Sequence, residues 1–197
     1  EIRRAGAGWA LLLDQAQAVH ADRVVVTAPA PQAVALLGDV DDALSARLAQ
    51  VSFAPCYTLM AAFDRPPAPG VALRPGGAFD LVLRDSAKPG RDAATECWVA
   101  HATAEWSDDH LEMDRDAAAD ALLDALAATL GPLPPIRFAR AHRWRFARAS
   151  VPLGTPFAAT ADGSLMVGGD WALGRDAEDA VASGAAMARA LLQTPET

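Results

Sequence analysis

Lysine is nearly missing from this chain: of its 17 basic residues, all but Lys88 are arginine. Positive charge is scarce overall, since 25 acidic residues leave a formal net charge of −8 and a pI near 4.9. A phosphate backbone would be repelled, which argues against a nucleic-acid partner. Cysteine is limited to Cys56 and Cys97, far apart and without CxxC or Cys/His spacing. That excludes a disulfide framework and a zinc site, and leaves two reduced thiols of a cytoplasmic protein. No run approaches the roughly 18 apolar residues of a membrane span. Nor is there a basic segment followed by an apolar one, as a signal peptide requires. With no GxSxG elbow and no Walker A loop, serine-hydrolase and P-loop chemistry have no footing.

What is present is a core. The chain has 197 residues, 52% hydrophobic and 21% charged, which excludes disorder. Residues 9–13 form a short apolar run expected to sit in a hairpin or paired strands. Val24, Val25 and Val26 follow, without alternation, as in a parallel strand buried on both faces. Pro29 and Pro31 end it. Helices are expected over 32–37 and 41–50, the second capped by Asp41 or Asp42. The texture then changes. Runs at 57–63, 79–84 and 97–103, broken by Pro/Gly turns, predict a mostly antiparallel sheet. Ser107-Asp108-Asp109 reads as the cap of a short helical turn. A longer helix is expected over 116–130, with Leu122, Leu123, Leu126 and Leu130 on one face and Gly131-Pro132 as its stop.

Residues 136–146 alternate strictly. One parity carries Ile136, Phe138, Arg140, His142, Trp144 and Phe146, and the other carries Arg137, Ala139, Ala141, Arg143 and Arg145. That is a strand with an aromatic face and a basic one. A short strand at 165–167 then runs into Gly168-Gly169-Asp170-Trp171, and an amphipathic helix over 177–192 closes the chain. The expected class is α+β: two α/β pieces flanking an inserted sheet with helices, hence a discontinuous domain.

The strand–Gly-Gly-Asp–helix unit carries the clearest chemistry. Glycines let a backbone approach a ligand, a helix start offers free N–H groups, and Asp170 can accept hydrogen bonds from sugar-like hydroxyls. A plain tight β–α turn would look the same. Several segments, in order, widen the signal: 21–32, Lys88-Pro89-Gly90-Arg91, Trp98 through Ser107, His142 through Ala147, and Gly168 through Gly184. Together they resemble the flavin-dependent amine oxidase superfamily, and within it the bacterial renalase-like, NAD(P)/FAD-dependent oxidoreductases.

The resemblance implies a two-domain flavoprotein. A partial FAD-binding α/β domain would comprise 1–36 and 147–197, and a substrate-covering sheet-and-helix domain 37–146. It implies FAD contacts at Ala28, Pro29, Gly169, Asp170 and Trp171. The backbone N–H groups of Ala177 and Glu178 would face the flavin pyrimidine oxygen. The implied reaction is hydride transfer from a small reduced substrate, an isomeric dihydronicotinamide dinucleotide or an amine, with reoxidation by oxygen. Two departures stand out. Asp179 replaces a small residue, and no GxGxxG, which binds the FAD pyrophosphate in the family, occurs anywhere. With Glu1 as first residue, this reads as a C-terminal fragment that binds FAD weakly or not at all. The apolar surface so exposed would let two copies pair. The alternative is a non-catalytic binding or structural module of the same fold.

Substrate-facing candidates are His101, His142, Trp144 and Arg143, although hydrogen-bonded sheet histidines are the plainer reading. Arg137, Arg143 and Arg145 form a basic strip that would meet dinucleotide phosphates or else be salt-bridged. Trp98 and Trp106 are expected in the core. The acidic group Asp108, Asp109, His110, Glu112, Asp114 and Asp116 reads as a solvated helix start rather than a metal site, and no metal is expected.

Overall fold

The computed structural model describes residues 1–13, 17–91 and 94–193. In chain order the first strands are β1 (Ile2–Ala5), β2 (Gly8–Leu12), β3 (Ala18–Ala21) and β4 (Val24–Val26). Helices α1 (Ala30–Leu37) and α2 (Asp42–Leu48) follow, then β5 (Ser52–Phe63), β6 (Ala72–Leu73) and β7 (Phe79–Arg84). A 3-10 turn at Asp85–Ala87 leads to β8 (Glu96–Ala102), α3 (Ala104–Asp109), α4 (Arg115–Leu130) and the long β9 (Ile136–Val151). The chain continues through β10 (Ala158–Ala159), β11 (Leu165–Val167), α5 (Asp170–Leu173) and α6 (Ala177–Gln193). It divides into two compact units: Glu1–Phe53 together with the chain from Arg148 onward, and Ala54–Ala147. The first boundary lies after Phe53, not near residue 36. The reason is packing, because Leu44 and Leu48 of α2 and Val51 are buried with Val24, Leu37 and Leu165 in the first core.

In the first unit, β1, β2 and β3 form an antiparallel sheet, and β10, β11 and β4 a mixed one. The valine strand pairs in parallel with β11, Val26 opposite Val167. Burial on both faces is not found: Val24 and Val26 are buried, but Val25 is 41% exposed. Helix α6 packs at the end of β11, where a Cβ on Gly168 would meet Met187, and Arg23 before β4 donates to Leu191 O of α6 at 2.6 Å. Helix α1 starts at Ala30 behind Pro29, two residues before the expected position, because proline suits a helix's first turn. Asp41 caps α2, accepting from Leu44 N at 2.8 Å.

In the second unit the strand order is β6-β7-β8-β5-β9, with β6–β7, β7–β8 and β8–β5 pairing antiparallel. One face carries Tyr57, Leu59, Phe63, Phe79, Val82, Trp98 and Ala100, buried with Leu122 and Leu126 of α4. Gly131 ends α4 at φ 88°, a left-handed conformation that glycine adopts without a Cβ clash. Thr103, not Ser107, caps α3 by accepting from Trp106 N at 3.2 Å. Ser107 lies inside that helix, fully buried, where its hydroxyl donates to Thr103 O and accepts from Tyr57 N. β9 runs on past the expected end at Phe146 to Val151. No helix of the described residues is long and apolar enough to cross a membrane.

Candidate functional site

Two surfaces collect the candidate residues, one in each unit. In the first unit, β4 and β11 end side by side, with Gly168 N donating to Val26 O at 3.1 Å. The segments after them, Ala28-Pro29 and Gly169-Asp170, therefore leave the carboxyl ends of two neighbouring parallel strands. In open α/β sheets that is where ligands bind. Asp170 is half-buried, and its carboxylate has no hydrogen bond or ion pair among the described residues. Its two glycine neighbours have internal reasons to lack a side chain. A Cβ on Gly168 would sit 2.5 Å from Ser183 Oγ, and one on Gly169 2.7 Å from Trp171 Nε1. Ser183 Oγ also accepts from Gly169 N at 3.0 Å. The glycines thus let α6 and an indole close on the strand end. Trp171 itself is buried in the first core, and its Nε1 has no hydrogen-bond partner among the described residues.

The start of α6 carries the second part of this surface. The N–H groups of Ala177 and Glu178 lie in the first turn, which has no intrahelical acceptors for them. Ala177 and Glu178 line an apolar groove of about 530 Å³ with Val181, Ala182, Ala185 and Arg189. Val181 is 72% exposed. Asp179 turns back on the helix start, its Oδ2 accepting from Arg175 N at 2.9 Å and Asp176 N at 3.1 Å. That satisfies two backbone donors and keeps a carboxylate beside the N–H groups of Ala177 and Glu178.

The residues present fit an FAD in part. Asp170 offers an unpartnered acceptor for ribityl hydroxyls, and Ala177 and Glu178 offer free N–H donors. Asp179 brings charge of the wrong sign for an anionic reduced ring.

In the second unit the candidates fall on the sheet face turned away from α4. Ala139 and Ala141 pack with the second core, so strand alternation sends Phe138, Arg140 and His142 to the other face. Trp144 joins them through an edge-on ring contact with His142, centroids 4.3 Å apart. On β8 and β5, His101 is opposite Thr58, and their side chains meet at 3.0 Å between Nδ1 and Oγ1. Leu81 and Leu83 of β7 pair with His101 and Val99. His101, His142 and Trp144 therefore share one outer face.

Arg143 does not join them. It bonds Leu111 O and Glu112, as Arg145 does Glu112 at 2.7 Å, while Arg137 pairs with Asp64. The basic strip is salt-bridged, which depresses the Glu112 carboxyl, the Arg145 hydrogen bond first among the causes. Within the acidic segment, Asp114 caps α4, and His110 stacks on Trp106 and bonds its carbonyl. Trp98 lies in the second core with Nε1 donating to Glu96, and Trp106 packs edge-on against Tyr57. Thr58 escaped sequence reasoning because it sits inside an apolar run. Only cross-strand register shows that it meets His101.

Comparison with known proteins adds to this geometry. A family model described as flavin containing amine oxidoreductase matches residues 1–192. A protein assigned as a protoporphyrinogen oxidase from Exiguobacterium sp. 255-15 has a similar fold, with a TM-score of 0.69 at 19% identity. It covers 98% of this chain and 46% of its own. Cyclohexylamine oxidase from Brevibacterium oxydans IH-35A gives 0.64 at 16%, over 98% and 48%. Putrescine oxidase bound to putrescine gives 0.61 at 14%, over 96% and 46%. The chain spans less than half the length of these structures.

Proposed function

This chain belongs to the family of flavin-containing amine oxidoreductases, and from that premise we propose that it supplies part of the FAD site and the substrate side of an FAD-dependent oxidoreductase. The observation that carries the reading is Asp170, a half-buried carboxylate without a partner among the described residues, where two parallel strands end. When bound, FAD supplies a two-electron acceptor. Asp170 would hold its ribityl hydroxyls, Ala28 and Pro29 would flank it, and Ala177 and Glu178 would donate to its pyrimidine oxygen. The substrate would lose a hydride from carbon and a proton from the adjacent atom. Oxygen would end with the two electrons and two protons as hydrogen peroxide.

The outer sheet face of the second unit, with His101, His142 and Trp144, is the substrate side in this reading. It serves orientation more than proton transfer. A dinucleotide finds little support, because Arg137, Arg143 and Arg145 are already neutralised.

Titration of FAD into the purified chain tests the cofactor site. Uptake with flavin absorbance in the protein fraction is expected, and Asp170→Ala should weaken it about tenfold, the worth of a charge-assisted hydrogen bond. Equal retention by the variant would remove Asp170 from the site. A second reading, a non-catalytic module of the same fold, is favoured by the lack of GxGxxG in these residues. Protein that stays colourless in excess FAD would leave this piece without catalysis of its own.

A further inference from the structure

Taking the outer sheet face of the second unit as the substrate side, we propose that Arg140 makes it selective for a flat ring carrying one carboxylate and that it refuses cationic polyamines. Arg137, Arg143 and Arg145, at the opposite parity of β9, all have acidic partners. Arg140 differs in two ways. It projects from the outer face, between Phe138 and His142, and it has no hydrogen bond or ion pair among the described residues.

Its surroundings are ring-shaped and wet on one side. Phe138 is 51% and Trp144 54% exposed, and alternate strand residues stand about 6.8 Å apart. A ring laid on Phe138, or on the His142–Trp144 pair, therefore brings a substituent to the guanidinium. Thr58, Met60, Val99 and Leu81, which strand pairing adds to this face, are uncharged, and Asp80, beside Leu81 on β7, already has a partner of its own. A polyamine would instead meet the unpaired Arg140 guanidinium with like charge, although the chain as a whole is at −8. One guanidinium matches one carboxylate fork to fork. A phosphate monoester, with a charge near −2, would keep an uncompensated charge beside an acidic protein.

Calorimetric titration of the whole 197-residue chain tests this with four probes: 2-naphthoate, 2-naphthylmethanol, 2-naphthyl phosphate and 1,4-diaminobutane. Naphthoate should bind tightest. Arg140→Gln should weaken naphthoate about tenfold while leaving naphthylmethanol within about twofold. Trp144→Ala should weaken both, and Arg137→Gln neither. Circular dichroism of each variant verifies that it is folded. No binding of naphthoate, tighter binding of the diamine or the phosphate, or indifference to Arg140→Gln would each overturn the proposal. FAD uptake is measured separately. A chain that binds naphthoate through Arg140 but takes no FAD defeats only the flavin reading, and one that takes FAD but ignores naphthoate defeats only this one.

Discussion

Asp162 holds the β10–β11 turn and ties it to the first strand. Its carboxylate accepts from Thr160 Oγ1 at 2.6 Å, Ser164 Oγ at 2.8 Å and Ser164 N at 3.1 Å, and pairs with Arg4 at 2.7 Å. Arg4 in turn lies over the Trp9 ring, 3.9 Å from its centroid, and Trp9 Nε1 donates to Ser164 Oγ. The Thr160 hydrogen bond, first among these donors, holds the Asp162 carboxyl well below the usual carboxylate range, against the opposing effect of burial. A depressed folded-state value means that the stabilisation is complete above the unfolded pKa, about 3.9, and fades as pH falls below it. Acid titration of the wild type should therefore lose stability in that window, and Asp162→Asn should flatten the loss. At neutral pH the variant should cost about 1 kcal/mol, the low end for a charge-assisted contact because the carboxylate is half exposed and screened. Chemical denaturation at several pH values measures both. None of this was legible in sequence, since Arg4 and Asp162 are 158 residues apart and neither belongs to a motif. Asp170 was legible, because the strand, its two glycines and the helix after it are neighbours in the chain.

Among elements, the docking of α6 on the end of β11 decides the geometry of the cofactor surface. Gly168→Ala would place a methyl 2.5 Å from Ser183 Oγ and 3.0 Å from Met187 Cε. It should cost roughly 1–3 kcal/mol by overpacking. Ser183→Ala should cost about 1–2 kcal/mol through the unsatisfied N–H of Gly169. Thermal melts of both variants test this, and an unchanged melting temperature for Gly168→Ala would show that α6 sits more loosely. Strands and helices themselves were readable from periodicity: 79–84 coincides with β7, and 116–130 lies within one residue of α4. Caps were less so. Thr103 and Ser107 are both good capping residues, and only the β8 exit places Thr103 at the helix start. The alternation of β9 announced an aromatic face and a basic face, yet not which one meets the core. Small alanines alternate with the arginines, and Ala139 and Ala141 take the basic parity inward. The long arginine stems pass the edge of the core to reach Asp64 and Glu112.

At the scale of the whole molecule, each unit has its own hydrophobic cluster. Leu122→Ala, in the second, should cost about 3 kcal/mol by cavity formation. Hydrogen exchange should then quicken mainly within 54–147, with β4 and β11 keeping their protection; uniform loss would show a single cooperative core. The amino-acid sequence by itself determined the classes of element, the α+β order, the family and the Gly-Gly-Asp unit, because periodicity, turn chemistry and contiguous motifs act over a few residues. Only the tertiary structure decided that α2 belongs to the first core, that Arg143 is spent on Glu112, and that Thr58, His101, Arg140 and Trp144 stand on one face of the sheet. Those facts depend on which strands pair and which face a helix covers. They are set by burial and register between residues far apart in the chain, where local pattern carries no information.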